Sequence, residues 1–343
     1  MSAPRTLVVR LDSAGDVLLA GPSVRAVASG SAHTALLCGP LGLPTARMLP
    51  GVDEVLVHDA PWTGLDPAPV SAEATREVVD RIGAGRFDRA LILVSFHQSP
   101  LPVALLLKAA GVPQVSADCE DYPGSLLDLR HTRRPRRHEA AAALDLAHAA
   151  GFPLPDGDDG RLRVLGPPDT TALTGRGPYV VLHPGAAVEA RRWSARRATR
   201  AASALSSAGH QVVVTGSREE KHLTAAVAGH HALDLGGATD WPQLAGVLRS
   251  ARAVVIGNTG AMHLAAAVGT PVVCLFSPVV PAGRWRPYGV PHVLLGDQKA
   301  PCAGSRARLC PVRGHPCLDA VDDAAVVAAV DRLTGRTRGG ALP

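Results

Sequence analysis

Val254-Val255-Ile256-Gly257-Asn258-Thr259-Gly260-Ala261-Met262-His263-Leu264 is the stretch from which the fold is read. A β-branched apolar run passes through Gly-Asn-Thr-Gly straight into an alanine-rich segment of helical spacing. The N-terminus of such a helix has free amide N–H groups and the positive end of its dipole, which together suit a phosphate. The glycines keep the backbone open to close approach, and Thr259 adds a hydroxyl donor. His263 falls about one turn into the helix, where it either faces the same pocket or is a satisfied core residue.

The same strand-loop-helix rhythm extends outward from this loop. Strands are expected at 179–183, 211–215, 232–235, 253–256 and 272–276, with helices at 195–208, 219–227, 241–250, 262–268 and 324–333. In the first half the spacing predicts strands at 6–11, 34–38, 54–58 and 90–94, with a helix from about residue 17 and others at 72–82 and 101–110. Short apolar strands alternating with helices indicate parallel sheets covered on both faces. Between the halves, 151–178 is rich in Gly, Pro and Asp, as a linker is. The reading is α/β, with an N-terminal domain over 1–170 and a C-terminal domain over 171–343, the last helix free to pack back on the first domain. A cleft is expected between them, and ligand loops follow the carboxyl ends of strands.

Two more loops carry candidate chemistry. Arg10-Leu11-Asp12-Ser13-Ala14-Gly15-Asp16 puts two carboxylates where a strand enters a helix. Gly15 permits close approach, and a carboxylate there either takes a proton from a hydroxyl nucleophile or caps the helix. His183-Pro184-Gly185-Ala186 is followed by Arg191-Arg192-Trp193-Ser194. Arginine forks fit diphosphate oxygens, although an arginine pair is equally at home on a solvated surface. Trp193 reads as a packing residue.

Composition bounds the rest. A chain of 343 residues, 46% hydrophobic, has material for two cores. The net charge of +5 suits an anionic ligand, but no clustered recognition element points to nucleic acid. No apolar run is long enough to span a bilayer, and 1–9 enters a strand directly rather than a signal peptide, so a cytoplasmic enzyme with at most peripheral membrane contact is expected. Neither Gly-x-Gly-x-x-Gly after the first strand nor Gly-x-x-x-x-Gly-Lys-Ser/Thr occurs, which disfavours dinucleotide oxidoreductases and P-loop enzymes. The six cysteines are irregularly spaced. Cys302, Cys310 and Cys317 with His315 lack a close Cys-x-x-Cys pair, so free thiols are expected ahead of a zinc site. The densest positive run, 130–138, is either a solvated loop or a steering surface for an anionic acceptor.

Taken in order, the three loops resemble glycosyltransferase family 9, the ADP-heptose:lipopolysaccharide heptosyltransferases. Val9 to Val17 looks like the family's Arg-x-Ser-Ser-x-Gly-Asp start. The stretches at 183–186 and 191–194 resemble its His-Pro-Gly-Ala and Lys-Arg-Trp-Pro. Residues 258–267, continued through Gly269-Thr270-Pro271 to Phe276-Ser277-Pro278, are similar to its Asp-Thr-Gly-x-x-His-Leu-Ala-Ala-Ala block. The resemblance implies a GT-B fold of two Rossmann-like α/β/α domains facing a central cleft, and an inverting transfer without metal or other cofactor. It implies Asp16 as general base, Arg191 at the donor phosphates, Thr259, Gly260 and His263 around the diphosphate and sugar, and Thr239 near the nucleobase; Gly15, Arg192 and Asn258 complete the expected substrate-binding residues. The expected partners are a nucleotide-sugar donor, ADP-linked, and a glycan, lipid-linked or small-molecule acceptor. Three residues depart from the pattern: Asp12 stands for Ser, Asn258 for Asp and Arg191 for Lys. Asp12 leaves two carboxylates at the site, and Asn258 opens the choice of donor sugar. A GT-B-type nucleotide-sugar epimerase and an inactive sugar-nucleotide-binding homologue are the alternatives.

Overall fold

The computed structural model describes residues 2–64 and 66–336. Met1, Leu65 and 337–343, the end of the expected second domain, lie outside the described residues. The chain divides into two compact units, Met1–Leu165 and Gly166–Pro343.

The first unit holds β1 (Arg5–Arg10), β2 (His33–Cys38), β3 (Glu54–Val57), β4 (Arg89–Ile92), β5 (Gln114–Asp118) and β6 (Leu129–His131). Its helices are α1 (Ala14–Ser29), α2 (Leu43–Ala46), α3 (Ala72–Ala84), α4 (Leu101–Ala109) and α5 (Glu139–Ala149). The strands pair in parallel in the order β3-β2-β1-β4-β5-β6. The chain works outward from β1 to β3, then returns to β4, so the topological switch point lies between β1 and β4. Thr6 to Arg10 are all buried, as a strand covered on both faces requires. Helix α1 is buried almost all round and packs on alanine-rich α5; small side chains let the two approach closely.

The segment after α5 belongs to this unit. Phe152 and Leu162 are buried, and Leu165 donates its N–H to the Met48 carbonyl. Buried Arg25 on α1 clamps Asp158 through two hydrogen bonds of 2.6 and 2.9 Å. This pairing holds the Asp158 carboxyl down at about 2. The unit therefore closes at Leu165, where 170 was expected. Pro168 and Thr170 pack in the second unit, where a Cβ on Gly246 would run into the Pro168 carbonyl oxygen and the Thr170 methyl group.

The second unit repeats the plan with β7 (Tyr179–His183), β8 (Gln211–Gly216), β9 (Leu233–Gly236), β10 (Ala253–Gly257), β11 (Val272–Leu275) and β12 (His292–Leu295). Its helices are α6 (Thr171–Thr174), α7 (Ala195–Ser207), α8 (Lys221–Ala228), α9 (Trp241–Ser250), α10 (Gly260–Ala267), α11 (Ala282–Trp285), α12 (Pro316–Asp319) and α13 (Asp323–Thr334). The order β12-β11-β10-β7-β8-β9, parallel throughout, puts the switch point between β7 and β10. Two buried hydroxyls tie the sheet to α9 and its surroundings: Tyr179 donates to the Val247 carbonyl and Thr270 to the Leu248 carbonyl, each at 2.7 Å. Helix α13 packs on α7, β10 and β11, and Asp331 on it meets His210 at 2.9 Å. Among the described residues, no helix is long and apolar enough to cross a membrane.

Candidate functional site

In the first unit the switch point is lined by the loop after β1 and the loop after β4. Arg10, the last residue of β1, is buried with its guanidinium among polar groups. Its Nε lies 3.0 Å from Asp12 Oδ2, and its Nη2 donates to Asp16 Oδ1 at 3.0 Å and to Ser95 Oγ at 2.9 Å. Burial alone would weaken the guanidinium's hold on its proton; Asp12 and Asp16 outweigh burial and raise its pKa. Ser13 donates to the other Asp16 oxygen at 2.8 Å. Gln98 donates from Nε2 to Asp12 Oδ1 at 2.5 Å and accepts at Oε1 from the Ser95 N–H.

Neither carboxylate caps α1. The N-cap is Ser13, which makes no side-chain capping bond, while Asp16 stands in the first turn beside buried Gly15. The side chain of Asp12 is 13% exposed and that of Asp16 is 20% exposed. Asp16 is thus the carboxylate more open to a reactant. Burial pushes the Asp12 carboxyl upward, against the pull of Arg10.

The second unit's switch point has a different character. Strand β10 ends in Gly257 because the Arg191 carbonyl oxygen would lie only 3.0 Å from a Cβ there. Asn258 follows, 5% exposed, with its Nδ2 making no hydrogen bond; Thr259 is the N-cap of α10, and its Oγ1 is likewise buried and unbonded. Gly260 opens the helix, and His263 is buried one turn on. Ser277, after β11, donates its N–H to Asn258 Oδ1 (3.4 Å) and its Oγ hydroxyl to the Ala190 carbonyl at 2.6 Å, tying the α10 mouth to the arginine turn.

On the facing side of this switch point is the loop after β7. Half-buried His183 bonds Thr215 Oγ1 through Nδ1 at 3.0 Å. Burial lowers its pKa although the Glu220 carboxylate pulls the other way, so the imidazole is neutral at neutral pH. Glu220 also explains Gly185: any Cβ there would run into its carboxylate. Arg191 ends a short 3-10 turn and is half-buried; exposed Arg192 donates to the Ala186 carbonyl at 2.9 Å and closes the Pro-Gly loop. Trp193 is buried and donates to the Leu318 carbonyl. Thr239, in the loop after β9, precedes the capping box that Asp240 and Gln243 form at α9. It lies at the same carboxyl edge of the sheet, one strand beyond β8.

The structure therefore brings Asp12, Gly15 and Asp16 to one edge, and Arg191, Arg192, Thr239, Asn258, Thr259, Gly260 and His263 to the other unit's equivalent edge. Sequence reading missed Ser95, Gln98 and Glu220. The first two follow β4 and the third follows β8, so a search of every loop at the carboxyl ends of strands finds them. In the basic run, Arg133 turns inward to Glu139 and Asp118, and Arg137 pairs with Asp145; Arg134 and Arg136 are exposed. All six cysteines are free thiols, and burial lifts Cys317 to about 11.

The sequence model of glycosyltransferase family 9 (heptosyltransferase) matches residues 75–314. The chain belongs to glycosyltransferase family 9. A lipooligosaccharide heptosyltransferase 2 of Haemophilus influenzae is 29% identical over 119 residues, 32% of this chain and 34% of that protein, so the match spans about a third of the relative's length. Among solved structures, a family-9 glycosyltransferase from Veillonella parvula superposes with a TM-score of 0.79 at 18% identity, covering 98% of this chain and 99% of that one. The E. coli ADP-heptose lipopolysaccharide heptosyltransferase II gives 0.74 at 19% identity over 97% and 99%. An E. coli heptosyltransferase solved with ADP-2-deoxy-2-fluoro heptose gives 0.69 at 18% over 96% and 99%. These likenesses establish the family's GT-B fold of two Rossmann-like domains. The family match begins at residue 75 and therefore does not include the Asp16 loop.

Proposed function

We propose that this family-9 chain is an inverting glycosyltransferase. It moves a sugar, heptose or a relative, from a nucleotide diphosphate donor to a hydroxyl of a glycan, lipid-linked or small-molecule acceptor. The donor is read as ADP-linked because the solved relatives include one bound to an ADP-heptose analogue. The observation that carries the reading is the mouth of α10, where Asn258 Nδ2 and Thr259 Oγ1 are buried without partners. Buried polar atoms are nearly always bonded, so this pair is matched to a ligand that supplies acceptors. Diphosphate and sugar oxygens do so, and the helix N-terminus adds N–H donors and a favourable dipole.

The chemistry is a single displacement. The acceptor oxygen forms a bond to the anomeric carbon as the bond from that carbon to the diphosphate oxygen breaks, and the acceptor proton passes to an Asp16 oxygen. Attack opposite the leaving group inverts the anomeric centre. Negative charge grows on the diphosphate, where the α10 amides, Thr259 and Arg191 stabilise it in place. That set of donors makes a divalent ion unnecessary in this proposal.

A thermal-shift comparison of ADP, UDP, GDP and their sugars, with and without EDTA, tests it. A ligand at a hundred times its Kd adds about 2.7 kcal/mol to stability. ADP and ADP-sugars are expected to raise the melting temperature equally with chelator present. Indifference to every nucleoside diphosphate, or a response only with a divalent metal, would sink the reading.

A further inference from the structure

Arg10 is one buried cation serving two carboxylates, and it serves them differently. Its Nη2 makes a hydrogen bond to Asp16. Its Nε lies 3.0 Å from Asp12 Oδ2 yet makes no aligned hydrogen bond there. Asp12 is held in place instead by the Gln98 amide, at 2.5 Å, and Gln98 is itself fixed by the Ser95 N–H at 2.8 Å. Ser95 Oγ then accepts from the same Arg10 Nη2 that reaches Asp16. The result is a ring of Arg10, Asp12, Gln98 and Ser95 with Asp16 attached to it through Arg10, built from β1, the loop after it, the first turn of α1 and the loop after β4. No part of it contributes the proton acceptor except Asp16, so Asp12 has no assigned part in the transfer.

We infer that Asp12 is a positioning residue that keeps Asp16 basic by sharing Arg10 with it. The inference rests on the reading of Asp16 as the base. A lone carboxylate facing a buried guanidinium is strongly stabilised as the anion and is a poor proton acceptor. A second carboxylate on the same guanidinium neutralises part of that field and adds its own like charge. Both effects make Asp16 accept a proton more readily than it would beside Arg10 alone. Gln98 fits this role, because its N–H donor favours the charged form of Asp12 and needs nothing from Asp16.

Further charged groups lie near the ring. Glu139, at the start of α5, contributes a further negative field at Arg10 and Asp12. Its two oxygens accept from Arg133 Nη1 at 3.0 and 2.9 Å, and Arg133 Nε donates to Asp118 at 2.9 Å. Asp118 also takes His131 Nδ1. Glu139 is therefore largely balanced by its own arginine, and Asp12 is the carboxylate that competes for Arg10.

The test is the pH profile of kcat/KM for the parent, Asp12→Asn and Asp12→Ser, with Asp16→Asn alongside. Both Asp12 variants remove the charge and retain a polar group for Gln98, and a melting curve with ADP confirms that each is folded. The acid limb should move down by about one pH unit in both, and the neutral plateau should fall about threefold as the base weakens. Donor KM should stay at the parent value. Removal of a merely structural carboxylate would lower activity at every pH and leave the limb in place. An unmoved or raised limb in the folded variants overturns the inference. Undiminished turnover in Asp16→Asn would instead overturn the base reading on which it rests, whatever the Asp12 variants do.

Discussion

The two units share a strand order and place their polar loops at the same topological position, yet the loops are finished differently. In the first unit the switch-point groups hold one another: Arg10, Asp12, Asp16, Ser95 and Gln98 are joined by hydrogen bonds and a charge contact in which only Arg10 Nε lacks an aligned bond, and Ser13 donates to Asp16. In the second, Asn258 Nδ2 and Thr259 Oγ1 are buried and unbonded. A polar network closed on itself fixes the orientation of a reacting group before any ligand arrives. Donors left open carry a desolvation cost that a ligand relieves on binding. The contrast fits the proposal that the first edge carries the chemistry and the second binds the donor.

Cutting each edge should therefore have opposite effects. Arg10→Met leaves two carboxylates facing each other without their cation. Breaking a buried pair from one side costs about 3–5 kcal/mol, so denaturant titration should show a loss of that size together with lost transfer. A variant as stable as the parent would mean that the ring is not a folding element.

Next in size is the tether that closes the first unit. The Asp158 carboxyl, depressed to about 2 by Arg25, contributes stability that is complete above its unfolded pKa near 3.8 and is lost as pH falls through about 2. The shift corresponds to about 2 kcal/mol. Asp158→Asn should remove that increment at neutral pH and flatten the acid side of the stability curve between roughly pH 4 and 2. An unchanged acid transition would show that Arg25 and Asp158 are not coupled to folding.

The smallest effect sharpens the comparison most. Thr259→Val removes an unbonded buried hydroxyl, so melting temperature should hold or rise, while affinity for ADP should fall by about 1 kcal/mol, roughly five- to tenfold. Calorimetric titration beside a melting curve separates the two. Loss of stability with affinity intact would show that Thr259 is bonded within the unliganded protein.

Much of this was legible in the sequence. Strands such as Val272–Leu275 and Tyr179–His183 are β-branched runs bounded by Gly or Pro, and they appear where periodicity puts them. The strands missed in reading have weak local signals, whereas the missed helix Glu139–Ala149 is alanine-rich and was open to a sequence argument. Gln114–Asp118 is polar at both ends, Leu129–His131 has three residues, and His292–Leu295 is an edge strand only partly buried. Such segments become strands because a neighbour offers a parallel ladder, which is tertiary information. At the site, the residues flanked by glycine were visible, since glycine marks close approach. Ser95, Gln98 and Glu220 carry no such mark. They matter because the parallel topology delivers their loops to the same edge.

The division of labour between the two edges is tested most directly in Asp16→Ala, by titrating ADP and measuring sugar transfer on the same sample. The account predicts ADP affinity within about twofold of the parent and transfer reduced by about a hundredfold or more. Transfer at the parent's rate, or loss of ADP binding in a folded protein, would contradict it.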